Sequence, residues 1–484
     1  MTNETNVMTK TVNGFVWKFM EKIGSQAMQL IIQIILARIL LPEEYGLVGL
    51  LTIFITISDV FILQGLTTAL IQKKEADEMD FSSVFFSNIV ISLILYLGLY
   101  FLSPWVAAFY NEPTLNDLMR VLSLNVIIGA FPAVHNAIMT RELDFKKSFI
   151  RNISNVLTQG FVGIPLAYFG FGAWAMVFSK LSGTCVGAIV LCITVKWSPK
   201  KIFSIFRVGE LFKFSSKVLV TNLLNTIFNN IHSIVIGKYY SAMDVGYYQR
   251  GQQIPQAAMS SLDGAMTEVL YPSFSKIQTD AKLLKEAVRK SIAISMYMTL
   301  PVLWGLFAIA EPLTILLLTD KWVPSVSYMK LSCIVCMFWP LSHRTHALNA
   351  IGRSDVTLKL SLIGKSVTVF FIVLCIDFGI YALMLGTIVA SVVNVFIASY
   401  YVKKYLGYTG RELLLDVFPS FVVALGMGLI VEGINVSETN LLLNVIVQII
   451  AGMFIYFFVS YVFKLKGFVL IMNILKRRIR NIQE

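Results

Sequence analysis

Two apolar segments of this chain each carry a stripe of polar residues. Lys18, Lys22, Ser25, Gln29 and Gln33 recur every three or four positions in the first. Lys217, Thr221, Asn225, Asn229 and His232 repeat the pattern in the second. That spacing places each set on one face of an α-helix. Ammonium groups, amides and hydroxyls gathered on one face can replace the water around a polar solute. Facing lipid, each unpartnered group would cost about 4–8 kcal/mol on a hydrocarbon scale. The two stripes therefore predict one wet cavity between two halves of a membrane protein.

Other ionisable residues also lie inside apolar runs. A charge there costs about 2.5–3.5 kcal/mol at the bilayer centre, so it faces a cavity or a partner. Lys180, Arg250 and Lys330 are the further cations. With Lys18, Lys22, Gln29, Gln33, Lys217, Asn225 and Asn229 they make up the expected lining. Two plainer readings stand beside this one. Lysines near helix ends snorkel to headgroups, and Arg250 anchors an outer edge. The acids within spans are Glu21, Asp59, Asp263 and Glu268. Asp59 and Asp263 occupy equivalent places in two spans and are candidates to bind a coupling proton or sodium ion. Glu21 is a third candidate, although Lys18 and Lys22 beside it favour an ion pair. Interhelical hydrogen bonding is the alternative for both aspartates. His343 and His346 have no acidic or thiol neighbour in the sequence and read as a polar helix end, so no metal site is expected. All five cysteines fall in apolar runs, and Cys333 with Cys336 reads as small core residues.

The elements that position these residues follow from composition. The chain is 56% hydrophobic and 14% charged, against about 25% charged in soluble domains. This composition predicts an all-α integral membrane protein, since the short alternating segments of a barrel are missing. About fourteen segments reach spanning length. Their centres lie near Gln29, Ser58, Tyr96, Ile128, Phe161, Val186, Thr226, Leu262, Val302, Phe338, Val369, Val393, Gly426 and Met453. With the N-terminus in the cytoplasm, alternation puts Lys73, Arg141, Lys147, Lys200, Arg289, Arg353 and Lys404 in inner loops. Little more than Arg38, Lys238 and Lys321 stays outside. Both termini are thus expected in the cytoplasm. The net charge of +12 reflects topology, and no nucleic-acid partner is expected. Every loop is shorter than the roughly 50 residues of a small domain, which excludes an extramembrane catalytic domain.

The stripes belong to a longer repeat. Glu44-Tyr45-Gly46 matches Asp244-Val245-Gly246, and Gln64-Gly65-Leu66 matches Asp263-Gly264-Ala265. Asn136-Ala137-Ile138 with Arg141 matches Asn349-Ala350-Ile351 with Arg353. Phe171-Gly172 with Ala175 matches Phe378-Gly379 with Ala382. The order is kept, and an even number of spans separates the partners, so the repeat is parallel about an axis along the membrane normal. It predicts an N-terminal bundle over 1–195, a cytoplasmic linker over 196–213 and a second bundle over 214–405. Two further helices and a basic tail occupy 406–484.

These motifs resemble those of Wzx-type polysaccharide exporters. Leu36-Ala37-Arg38-Ile39-Leu40-Leu41-Pro42-Glu43-Glu44-Tyr45-Gly46 is similar to their LARLLSPEDFG block. Gly65-Leu66-Thr67-Thr68-Ala69-Leu70-Ile71-Gln72 is similar to GLxxALIQ, and Arg141-Glu142-Leu143-Asp144-Phe145 to RxLxF. Asp320-Lys321-Trp322 departs from a glycine expected nearby. The branch with the colanic acid exporter is the most similar. The resemblance implies two pseudo-symmetric six-helix bundles in a V, with two extra C-terminal helices, in a bacterial inner membrane. It also implies a flippase that carries a polyprenyl-pyrophosphate-linked oligosaccharide from the cytoplasmic to the periplasmic leaflet by alternating access. Membrane lipids, glycosyltransferases and a polysaccharide polymerase are the implied partners, and no cofactor is expected beyond the coupling ion. On that reading the span cations receive the pyrophosphate. A multidrug cation antiporter on the same fold would favour an acidic cavity, whereas basic residues outnumber acids in these spans. A peptidoglycan-precursor flippase fits the motifs less well.

Overall fold

The computed structural model describes residues 24–434 and 440–483. Lys18, Glu21 and Lys22 lie outside the described residues, as does the side chain of Glu268. Every regular element among the described residues is helical. In chain order they are α1 (Gly24–Ile39) and α2 (Pro42–Gln72), followed by α3 (Glu78–Tyr110). The bent pair α4 (Thr114–Ala130) and α5 (Ala133–Glu142) comes next. Then come α6 (Phe145–Tyr168), α7 (Ala173–Thr194), α8 (Ile205–Tyr239) and α9 (Ala242–Lys276). The remainder are α10 (Ala281–Ala308), α11 (Ala310–Leu318), α12 (Pro324–Cys336), α13 (His343–Ala350), α14 (Ser354–Cys375), α15 (Ile380–Leu406), α16 (Gly410–Glu432), α17 (Leu441–Val462) and α18 (Lys466–Gln483).

Eight of these helices are long and apolar enough to cross a membrane, or nine with the pair bent by 42° at Phe131-Pro132. Helices α6, α8 and α9 have the length but are too polar for that test. Each expected span centre falls within a helix except Phe338, which lies at a break before the tight turn Trp339–Ser342.

The chain divides into two compact units, Met1–Gly246 and Tyr247–Glu484. The division falls beyond the linker that the repeat marks at 196–213. The physical reason is α8, which packs on α2 and α3 of the first unit. Its buried residues Leu211, Ser215, Leu219, Ser233, Ile236 and Gly237 share one face. Both of its ends are tied to α3. Lys238 donates to the Phe109 carbonyl at 2.6 Å, and Arg207 pairs with Asp77 at 3.4 Å and Asp80 at 3.3 Å.

Within the first unit, the repeated acid-x-glycine motif has a double role. Glu44 reaches back to accept from the Leu41 amide at 2.6 Å, and Pro42 opens α2. Asp244 and Ser241 exchange hydrogen bonds of 2.6 and 3.1 Å at the start of α9. Glu44 thus satisfies the amide before α2, while at α9 Ser241 accepts from the first-turn amide and Asp244 holds the Ser241 hydroxyl in place. Two residues on, Gly46 and Gly246 meet. A methyl on Gly46 would stand 2.5 Å from the Ala242 carbonyl carbon, and one on Gly246 3.0 Å from that of Pro42. Only glycine permits this crossing of two backbones.

Helix α2 breaks at Gly65, whose ψ of −114° leaves the helical range within a π turn. Thr67 donates to the freed Ile62 carbonyl at 2.7 Å, and Asn88 of α3 donates to Thr67 at 3.2 Å. Arg141, in the last turn of α5, donates to the carbonyls of Leu70 and Lys73 at 2.7 and 2.5 Å, closing the C-terminus of α2.

The second unit is built around α10, which packs against α16 and α18. Asp416, with its side chain 2% exposed, collects cations at that junction. Arg289 binds it in a fork at 2.8 and 3.0 Å, Lys466 at 2.5 Å, and the Tyr408 hydroxyl donates at 3.0 Å. These bonds hold the start of α18 against the unit.

Candidate functional site

The polar stripes lie on α1 and α8, both in the first unit. Along α8, Lys217, Thr221 and Asn229 are exposed, and Asn225 and His232 are half-buried. On α1, Gln29 is exposed and Gln33 half-buried. The stripe of α8 lies apart from its buried face and beside a row of exposed apolar residues, among them Val220, Leu224 and Ile227. An exposed run of amides, hydroxyls and an ammonium is incompatible with lipid contact, because hydrocarbon satisfies none of these groups.

Asp59 and Lys180, singled out separately in the sequence, come together. Each is half-buried, and each is the other's electrostatic partner between α2 and α7. Opposite charges that feel each other within a span lower the cost of both. Neighbouring α6 presents a further polar row of Arg151, Asn152, Asn155 and Gln159. Gln159 donates to Asn155 at 2.6 Å, and Arg151 to Asn152 at 3.0 Å.

Two of the expected cavity cations are engaged inside the second unit instead. Arg250 is buried, hydrogen-bonded to Gln253 and placed 5.7 Å from the ring centre of Trp322, itself fully buried. Lys330 pairs with Glu432 at 2.7 Å and lies over the Phe307 ring, so it joins α12 to α16. In both cases the cation has a partner within the protein.

Asp263 lies on α9 beside His343 at the start of α13. His343 is completely buried, and its Nε2 is 2.9 Å from Asp263 Oδ1. Its Nδ1 lies 3.3 Å from Ser295 Oγ on α10. A cavity of about 160 Å³ adjoins them, lined also by Leu262, Met266, Met298, Thr299 and Pro340. His343 was read from the sequence as a polar helix end. The structure puts it in the interior, and the missed signal was a histidine within a segment of spanning length. The same signal, a single cation in an apolar run, marks Lys365, half-buried on α14, which the sequence reading left out. Among the described residues no cluster of His, Cys, Asp and Glu has the makings of a metal site.

These features define a multi-pass, all-helical membrane protein with a polar helix face. Its fold is shared by solved transporters. The chain is similar to "Lipid II flippase MurJ, inward closed conformation", with a TM-score of 0.74 at 16% identity, covering 93% of this chain and 98% of that one. It is also similar to the inward-facing conformation of a multidrug resistance MATE family transporter, with a TM-score of 0.62 at 16% identity, over 79% and 94% of the two chains.

Residues 35–327, more than half of the chain, match the family described as Polysaccharide biosynthesis protein, and the protein belongs to it. Similar relatives include the lipopolysaccharide biosynthesis protein WzxC of Escherichia coli, 23% identical over 88% of this chain and 89% of the relative. The succinoglycan biosynthesis transport protein ExoT of Rhizobium meliloti is 26% identical over 75% and 74%. The teichuronic acid biosynthesis protein TuaB of Bacillus subtilis is 23% identical over 79% and 80%.

Proposed function

We propose that the protein is a flippase for a polyprenyl-pyrophosphate-linked oligosaccharide, moving it from the cytoplasmic to the periplasmic leaflet during polysaccharide assembly. The observation that carries the reading is the exposed polar face of α8, with Lys217 at one end and the amides of Asn225 and Asn229 along it. Family membership supports the substrate class, since WzxC, ExoT and TuaB are all named for polysaccharide biosynthesis. The lipid tail can stay in the bilayer while the headgroup crosses, so only the sugars and the pyrophosphate need replacement hydrogen bonds. Amides and hydroxyls serve the sugars, and cations serve the pyrophosphate.

On this reading about fourteen helices span the bacterial inner membrane, both termini are cytoplasmic, and Lys18, Lys22 and Lys217 receive the anion at the inner mouth. The work is alternating access between the two repeats. The membrane potential, negative inside, favours outward movement of an anion by about 2.3 kcal/mol per charge per 100 mV. Glycosyltransferases supply the substrate and a polymerase consumes it. Replacing Lys217 with Ala should reduce surface polysaccharide severalfold at unchanged protein level, with Lys217→Arg retaining more export than Ala. Normal export by Lys217→Ala, Asn225→Ala and Asn229→Ala alike would remove the stripe from the mechanism.

A further inference from the structure

We propose that Asp263 and His343 form a proton-binding site in the second unit, through which translocation is coupled to a proton gradient. The inference deepens the flippase reading and rests on it for the word translocation, while the site itself rests on geometry. Both residues belong to the same unit, so the pair is complete within it.

Two partly satisfied atoms face each other. His343 Nε2 and Asp263 Oδ1 are 2.9 Å apart, yet neither has a well-aligned hydrogen bond to any described group. A buried polar atom without a good bond costs about 1–3 kcal/mol, and more when charged. A hydrogen on Nε2 resolves the cost, in the neutral ring as in the cation. With both ring nitrogens protonated and the carboxylate ionised, Nε2–H donates to Oδ1 and the pair is neutral as a whole. When one ring proton leaves to water in the adjoining cavity, a neutral imidazole faces a carboxylate, and the pair carries one negative charge. Binding and release thus change the charge of an interior site by one unit, which a gradient can drive.

The surroundings select a proton over a divalent metal ion. From α10 the pair meets only the hydroxyls of Ser295 and Thr299. Ser295 lies against His343 Nδ1 at 3.3 Å, and Thr299 is spent on the Ser295 carbonyl at 2.9 Å. From α13 the neighbouring charges are two. His346 has its ring centre 6.1 Å from that of His343 and interacts electrostatically with both members of the pair. Arg344 turns away, donating to the Leu341 carbonyl at 3.0 Å and to Ser399 at 2.8 Å. Among the described residues, Asp263 is thus the only carboxylate at the site, too few hard oxygen ligands for a divalent cation.

The chain has 4 histidines, so full-length protein labelled with ¹³C-histidine gives few resonances. In nanodiscs the His343 resonance, assigned by its loss in His343→Gln, is expected to change with pH in the wild type and to respond over a different pH range in Asp263→Asn. A resonance insensitive to pH, or one with the same midpoint in both proteins, overturns the site. In proteoliposomes carrying a pyrophosphate-linked oligosaccharide, a gradient of one pH unit is worth up to about tenfold per proton. It should change the wild-type initial rate severalfold and leave the Asp263→Asn rate unaltered. An equal response in both proteins overturns the coupling. Ser295→Ala, a milder change, should shift the His343 midpoint by less than Asp263→Asn, and a larger shift would assign the proton to the wrong partner. The titration needs no substrate, so a failure of wild-type vesicles to translocate counts against the flippase reading alone.

Discussion

Replacing Gly46 with Ala should destabilise the first unit out of proportion to the single methyl added. The new carbon would lie 2.5 Å from the Ala242 carbonyl carbon, nearer still to its oxygen, and 3.2 Å from the Gly246 nitrogen. Carbon atoms in contact prefer about 3.5–4.0 Å. The starts of α2 and α9 must therefore part by about 1 Å or more. The obstructing atoms are backbone and cannot rotate aside. Overpacking of this kind costs about 1–3 kcal/mol. Gly98→Ala supplies the control, because a methyl there meets nothing within 4 Å. In mid-helix it should gain up to about 1 kcal/mol from helix propensity. The two variants should thus differ by roughly 2–4 kcal/mol, read as separate melting transitions of the purified full-length protein in detergent. If Gly46→Ala melts at or above Gly98→Ala, the two helix starts do not cross as described and the reasoning is wrong.

Two more predictions concern the junction of α3 with the segment before α8. Asp80 is fully buried and binds Lys73 at 2.6 Å and Arg207 at 3.3 Å. Asp80→Ala should cost about 1–3 kcal/mol, because it takes a buried acceptor from Lys73 and leaves Arg207 with Asp77. It should also speed proteolysis around 196–204, a segment otherwise held by Ser82 and Ser83 at 3.0 Å each. Unchanged cleavage would show that this carboxylate does not hold the segment. Asp77 has its carboxyl held below the usual range, first by the Asp80 amide and then by Arg207. A lowered folded-state value means its contribution is present above the ordinary carboxylate range, near pH 4, and is lost as pH falls through the folded value. Stability measured from pH 7 to pH 3 should fall less steeply in Asp77→Asn than in the wild type, and parallel curves would count against the assignment.

Much of the fold was legible because membranes impose few and strong rules. Long apolar runs become helices, as α3, α15, α16 and α17 did. The acid-x-glycine repeat was visible too, although its meaning was not. Nothing in the letters says that Glu44 and Asp244 brace helix starts while Gly46 and Gly246 touch. The spacing of the α8 stripe implies one face, since helical spacing is local information. The neighbours α8 packs on depend on contacts far away in the chain.

The site shows the same limit. Composition and spacing identified Asp59, Lys180, Arg250, Asp263 and Lys330 as charges in need of partners. Sequence determined that need, because the desolvation cost belongs to the residue itself. The partners were decided only by tertiary structure. Lys330 stands with Glu432, Arg250 with Gln253 and Trp322, and Asp263 with His343, while Lys180 feels the charge of Asp59. Glu432 is far along the chain from Lys330, and His343 from Asp263. A charge reaches across a few ångströms of space, and that distance is set by helix packing rather than by spacing along the chain.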